Sequence, residues 1–350
     1  MNDPNAILNS ARGVDVIGDI HGYADALEGA LAHLGYHKEG ETTWRPCEGR
    51  VALFVGDLID RGPANRRVVD IVRGMTERNE AVCLMGNHEL NAVHFSMDDG
   101  KGGHLRNRSD KNLFQHVQFL IEYAGQGGRD ALKRDLEWFK TLPLWVETDG
   151  FRAVHACWSP SHIEALRPYA HDPDRRSTDF WRMASDKTTD LGAAVEVALK
   201  GLEEALPHGI SAADKDGVTR TDARMRWWTE ARHFLDAALV QGSLSEADQA
   251  RLAELAPPEC VRDRAIVPEK LTFFGHYWMP PKNGPWVYSD GNGVCLDFSV
   301  AKGDDGLLGV YSWNGERETS EDKLFGVDVN GRRAASPQQK SSDPTTATTL

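Results

Sequence analysis

Five hydrophobic runs in this chain of 350 residues each lead into side chains that can hold a cation or move a proton. The run at 14–17 leads into GDIHG, which sets Asp19 and His21 two residues apart between Gly18 and Gly22. The run at 51–55 leads into GDLIDRG, with Asp57, Asp60 and Arg61, and the run at 81–85 leads into GNHE, with Asn87 and His88. VHA supplies His155, and GH supplies His276. Glycine beside the polar residue permits a sharp turn and a close backbone approach. Imidazole favours Fe, Zn or Ni, whereas carboxylate and amide oxygens favour Mn and Mg. One Asp can bridge two cations about 3.5–4 Å apart, a clamp suited to phosphoryl transfer. Each block alone has a plainer reading: Gly-Asp as a turn, a histidine as hydrogen-bonded core, Asn87 as a helix cap. Five recurrences in succession favour a site.

Elements must bring these blocks together. Ala26, Leu27, Ala30, Leu31 and Leu34 recur at helical spacing after the first block, and Gly35 reads as the C-cap. A second helix is predicted over 64–78. Alternation of buried strands with helices predicts a parallel sheet, with ligands beyond the carboxyl ends of its strands. Residues 91–143 read as a helical insert, with Leu113, Val117, Leu120, Ile121 and Ala124 on one face and Leu132, Leu136 and Phe139 on another. FRAVHA resumes the strand pattern, and a second, largely helical insert is predicted over 159–268. LTFFGH then returns as a strand, and VCLDFSV and LLGVYSW read as late antiparallel strands. The expected organisation is one domain over 1–333 with a disordered Ser/Thr/Pro/Gln-rich tail at 334–350.

The five blocks resemble the metal-binding blocks of calcineurin-like metallophosphoesterases. DRG at Asp60–Gly62 points to the branch containing Ser/Thr protein phosphatases, phage-type phosphatases and bacterial diadenosine tetraphosphatases. The likeness covers about 14–155 and 271–311 and the inserts poorly. It implies a four-layer α/β/β/α sandwich with helical inserts. It further implies two divalent metal ions, Mn first, with Fe, Zn, Ni, Co or Mg as the others. Asp19, His21 and Asp57 would hold one ion, and Asp57, Asn87, His155 and His276 the other. His88, oriented by Asp60, would protonate the leaving oxygen or contact the phosphate, and Arg61 would fork onto the phosphate oxygens. A hydroxide bridging the metals would attack phosphorus in line. Two departures bear on substrate. The fourth block reads HACW where the protein phosphatases have HGG, and the second phosphate-binding arginine has three candidates, Arg106, Arg224 and Arg226.

Composition narrows the class. Hydrophobic residues at 40% and charged residues at 27% are normal for a soluble globular protein. No run of about 18 apolar residues predicts a membrane helix. Neither a secretory signal nor a CxxC pair accompanies the five scattered cysteines, so a reducing cytoplasm is expected. A net charge of −13 counts against binding duplex nucleic acid. DKDG at 214–217 reads as a turn rather than a calcium loop, because Met225 stands where the loop needs its closing Glu. GQGG at 125–128 follows a helix and is no phosphate cradle. Trp158, Trp227 and Trp228 could stack on a base or fill the interface between core and insert. The substrate reading stays open between a phosphoprotein, a dinucleoside polyphosphate or other nucleotide, and a small phosphate ester. The competing classes are a non-catalytic scaffold and a phosphatase acting on nucleic-acid ends.

Overall fold

The computed structural model describes residues 3–213, 219–240, 242–262, 267–279 and 291–334. DKDG and, apart from Ala334, the expected tail lie outside the described residues. The chain opens with α1 (Pro4–Ser10), β1 (Gly13–Ile17), α2 (Ala24–His33), β2 (Arg50–Phe54), α3 (Asn65–Glu77), β3 (Ala81–Cys83) and α4 (Asn87–Ser96). This is the expected strand–helix alternation, and Gly35 takes φ +82° just beyond α2, the left-handed turn that a C-terminal glycine supplies. The first insert holds α5 (Asp110–Ile121) and α6 (Gly128–Phe139), and β4 (Trp145–Glu147) and β5 (Arg152–Val154) follow. The second insert begins with α7 (Pro160–Leu166), α8 (Thr178–Ala184) and α9 (Asp190–Lys200). It continues into short strands that include β6 (Glu203–Ala205), β7 (Asp222–Met225) and β8 (Ala238–Leu239) and into helices at Phe234–Ala237, Glu246–Glu254 and Glu259–Arg262, before β9 (Thr272–Phe274), β10 (Gly293–Cys295), β11 (Leu308–Trp313), β12 (Leu324–Val327) and β13 (Arg333–Ala334).

Two sheets form the core. One has the order β13-β12-β11-β1-β2-β3, and the other β10-β9-β5-β4. β1, β2 and β3 run parallel with Ile17 opposite Phe54, and Val14, Val16, Ile17, Leu53 and Phe54 have no exposed surface. Burial on both faces is why these strands read as continuous apolar runs. The sheets meet through Phe273 on Tyr311 and Phe151 on Trp313, each pair 5.0 Å between ring centroids. Phe274, one residue further on, faces the other way onto Trp227 and Trp228 of the second insert. With α2 and α3 outside the larger sheet, the result is the four-layer sandwich expected.

Three expectations are corrected. VCLDFSV does not supply an antiparallel strand: β10 runs parallel to β9, with Thr272 opposite Gly293. Its connection to β9 is long enough for a crossover, and β9 is buried on both faces, as parallel strands are. The second insert is helical through Lys200 and again at Phe234–Ala237, Glu246–Glu254 and Glu259–Arg262, but β6, β7 and β8 add a small antiparallel sheet that was not expected. Strands of two to four residues are too short to show an alternating pattern. Finally, α5 does not bury the predicted stripe. It turns His116 and Phe119 inward and leaves Leu113 and Ile121 exposed at 44% and 58%. Phe119 packs on Tyr123 and Phe139, and His116 meets a buried carboxylate, so aromatic packing and a polar partner outweigh the count of aliphatic residues.

Phe273 joins both sheets. Phe273→Ala is expected to destabilise the protein by about 3–5 kcal/mol, the usual range for emptying a buried aromatic site. A urea titration should show a lower midpoint at unchanged slope, and an unshifted midpoint would contradict this role.

Candidate metal centre

The carboxyl ends of β1, β2, β5 and β9 and the start of α4 converge on one buried cluster. Among the described residues, eight non-glycine positions have positive φ, and six belong here: His21, Asp57, Asp60, Arg61, His276 and Trp278. Left-handed backbone is unfavourable for such residues, so its concentration at one place marks a geometry imposed by the surrounding fold. Glycine is required where backbones cross. A Cβ on Gly86 would collide with the backbone nitrogen of Asp57, and one on Gly275 with the Asp19 carboxylate.

Asp57 sits at the centre, 2% exposed. Its Oδ1 accepts from the backbone N–H of His88 at 2.9 Å and lies 3.4 Å from His155 Nε2. Its Oδ2 lies 3.8 Å from His21 Nε2 and 3.9 Å from His88 Nε2. Two sets of donor atoms close enough to share an ion meet at this residue: His21, Asp57 and His88, and Asp57, His155 and His276. Backbone carbonyls orient two of the imidazoles. His21 Nδ1 donates to Ile59 O at 3.0 Å and His155 Nδ1 to Val55 O at 2.8 Å, which turns each Nε2 toward the cluster. Asn87 Oδ1 stands 2.8 Å from His276 Nδ1 and 3.2 Å from His155 Nε2.

The donor chemistry fits a pair of divalent cations. Asp19 Oδ1, His21 Nε2 and His276 Nε2 are buried without a hydrogen-bond partner among the described residues. A buried polar atom left unpaired costs about 1–3 kcal/mol, so three together demand a partner. Burial pulls His21 and His276 well below the ordinary imidazole range, which keeps both neutral, the state in which imidazole ligates. Burial drives the Asp19 carboxyl well above the carboxylate range, and the negative charge of Asp297 adds to the shift. For Asp57 burial acts in the same direction but is outweighed by the charges of His155 and His88, which hold it well below that range. Cations relieve both the crowding of carboxylates and the unpaired nitrogens.

A profile of the calcineurin-like phosphoesterase family matches residues 13–200, more than half of the chain. The chain belongs to that family. The asymmetrical bis(5'-nucleosyl)-tetraphosphatase PrpE of a Geobacillus species is 40% identical over 167 residues, 48% of this chain and 63% of that protein. A symmetrical bis(5'-nucleosyl)-tetraphosphatase of Vibrio parahaemolyticus is 27% identical over 323 residues, 88% of this chain and 98% of that protein. For the asymmetrical enzymes the match covers less than two thirds of their own length, 30% to 63% in two of them. Among solved structures, a cold-active protein-tyrosine phosphatase from a psychrophilic Shewanella aligns at 14% identity over 93% of this chain and 80% of that one, with a TM-score of 0.45. The family uses a dinuclear divalent metal centre, and the two donor sets sharing Asp57 suit one.

The six expected ligands of this family member lie in one cluster. Asp19 stands outside both close sets, its Oδ2 accepting from the His276 backbone N–H at 3.0 Å, and His88 stands inside one of them. Asp60 Oδ2 accepts from His88 Nδ1 at 2.6 Å. Arg61 lies with its guanidinium carbon 4.0 Å from the centroid of the Trp278 ring, and its Nη2 is 3.4 Å from His88 Nε2. The three further arginines separate. Arg224, on β7, donates to the backbone carbonyl of His276 at 2.9 Å and so reaches the cluster. Arg106 is engaged by Asn112 and Gln115 of α5. Arg226 is half-buried in the second insert near Asp236. Trp227 and Trp228 are buried against Phe274, which makes them interface filling.

Four residues at the cluster went unassigned in the sequence. Glu89 accepts from the backbone N–H groups of Asp57, Leu58 and Gly86 at 2.8–3.0 Å, and burial pushes its carboxyl up to about 7. It braces the turn after β2, and its place in GNHE was the available signal. Asp297 accepts from the backbone N–H groups of Trp278 and Ser299. Trp278 and His116 carried no local signal at all. Asp57→Asn weakens the one ligand common to both donor sets. It is expected to lower bound metal, measured by elemental analysis, to below about half of the wild-type content, alongside a loss of activity on the order of a hundredfold. Full occupancy in that variant would contradict the bridging role.

Proposed function

We propose that this chain is a hydrolase that cleaves phosphate esters or anhydrides with two divalent cations. Asp19, His21 and Asp57 hold one cation, and Asp57, Asn87, His155 and His276 hold the other, with manganese the first choice. The observation that carries this reading is the sharing of Asp57 between two donor sets, each with one buried, unpartnered imidazole nitrogen, His21 Nε2 in one and His276 Nε2 in the other. When bound, such a pair would lower the pKa of a water toward neutrality and would offset the charge of the phosphate.

The protein does the rest. The Arg61 guanidinium takes the phosphate oxygens in a forked contact, steadied by the Trp278 face. His88 gives a proton from Nε2 to the departing oxygen while Asp60 holds the Nδ1 proton and balances the imidazolium. Burial would raise the Asp60 carboxyl, but hydrogen bonds from His116 and His88 outweigh it and keep it below the usual carboxylate range. Arg224 is the second phosphate arginine, because it alone of the three candidates reaches the His276 backbone. The domain boundaries 1–333, with a separate tail, belong to the same proposal.

Two substrate classes follow from one chemistry. The branch residues suggest a protein phosphatase-like phosphomonoesterase. A dinucleoside polyphosphate is the second reading, supported by the name of the Vibrio parahaemolyticus relative that aligns over 88% of this chain. A comparison of kcat/KM on phosphopeptides, diadenosine tetraphosphate and mononucleotides is expected to favour one class by at least about tenfold; equal, low values on all three would point to a small phosphate ester. Turnover of p-nitrophenyl phosphate should require added Mn²⁺, Ni²⁺, Co²⁺ or Mg²⁺. Its absence with all four in a folded protein would favour the scaffold. His88→Asn is expected to cut turnover by roughly 10²–10⁴-fold while metal content stays at the wild-type level. Joint loss of metal and turnover would make His88 a ligand instead.

A further inference from the structure

We infer that His116, supplied by the first insert, is the positioning residue that locks the Asp60 carboxylate against His88. The inference rests on the proton-donor reading of His88 given above. Asp60 is 3% exposed and uses both oxygens: Oδ2 accepts from His88 Nδ1 at 2.6 Å, and Oδ1 accepts from His116 Nδ1 at 2.8 Å. A carboxylate only accepts, so both histidines carry a proton on Nδ1, and the Nε2 of His88 is left facing Arg61 and Asp57. The terminal torsion of an Asp side chain is broad, and one hydrogen bond leaves it free to swing. The second, on the other oxygen, fixes it. Asp60 also stands at φ +71°, in a tight turn that holds its backbone but not its carboxylate.

His116 is itself immobilised. Its ring stacks on Phe119 at 5.0 Å and meets Phe95 edge-on at 5.2 Å. The orientation of α5 shows what this contact outweighs, because the helix turns His116 inward and leaves Leu113, Phe114 and Ile121 largely exposed. Beside it lies a cavity of about 350 Å³ lined by Phe95, Leu113, His116, Leu120, Leu132 and Leu136. Apolar packing around α5 is therefore incomplete, and polar contacts orient the helix: His116 on Asp60, and Glu122 at its C-terminal end accepting from the backbone N–H groups of Asn65 and Arg66. The insert thus reaches the Asp60 carboxylate through the His116 imidazole, at a distance of 56 residues in sequence from Asp60.

Two variants separate positioning from packing. His116→Phe keeps a ring between Phe95 and Phe119 and removes the donor; His116→Asn keeps a donor near the Nδ1 position. Each is compared with wild type on p-nitrophenyl phosphate, whose leaving group needs little proton assistance, and on an alkyl phosphate, whose leaving group needs it. For His116→Phe the expected result is wild-type metal content, KM within about twofold, and a kcat loss at least about tenfold larger on the alkyl ester, in keeping with the size of general-acid effects. His116→Asn should recover most of that loss. In parallel, the proton NMR resonance of His88 Nδ1–H, downfield in wild type because of the short bond to Asp60, should broaden or move upfield in His116→Phe. Equal losses on both esters, no loss, or an unmoved resonance would overturn the proposal. If wild type turns over neither ester with any of the four cations, the phosphoesterase reading fails, and the resonance alone decides the role of His116.

Discussion

A carboxylate held almost out of water at the meeting point of two sheets is the constraint from which the rest follows. Asp57 can remain ionised there only if its charge is met on every side, because an unpaired buried carboxylate costs several kcal/mol. The backbone N–H of His88, the imidazoles of His155 and His88, and Arg61 nearby supply part of that balance. Asp19, Asp60, Glu89 and Asp297 are buried in the same region. Five carboxylates around so few fixed cations make a centre whose electrostatics favour the arrival of divalent metal.

Building such a centre demands an unusual backbone. Three parallel strands deliver their ends to one edge, and the turns that follow must reverse at once so that side chains point back over the sheet. Positive φ at His21, Asp57, Asp60 and Arg61 is the local signature of those reversals. Glu89 holds the turn after β2 by accepting three backbone N–H groups that would otherwise lack partners. Gly86 and Gly275 stand where adjacent backbone and carboxylate leave no room for a Cβ. Strain at the ligands is thus offset by buried hydrogen bonds and apolar packing in the strands beneath them.

The inserts complete the centre rather than merely cover it. The second insert lays Trp227 and Trp228 on Phe274, and the same segment carries Arg224 to the His276 carbonyl. The first insert sends His116 to the far oxygen of Asp60. Both inserts therefore contact the groups assigned to phosphate binding and proton transfer. Differences in substrate between relatives of this fold have an obvious physical seat there.

The clustering of the candidate residues was legible from the chain because each sits just beyond the end of a strand: an apolar run, a glycine and a polar residue form a pattern only a few residues long. The parallel sheet was legible for the same reason, since burial on both faces leaves a continuous hydrophobic run. Tertiary structure alone decided which face of α5 turns inward, the parallel sense of β10, and the short strands after Lys200. It also decided the partnership of His116 with Asp60 and of Trp278 with Arg61. Those pairs lie far apart in sequence, and no local period records them. A helix stripe rich in aliphatic residues looks like a core face until a buried carboxylate elsewhere in the chain offers one histidine a stronger reason to turn in.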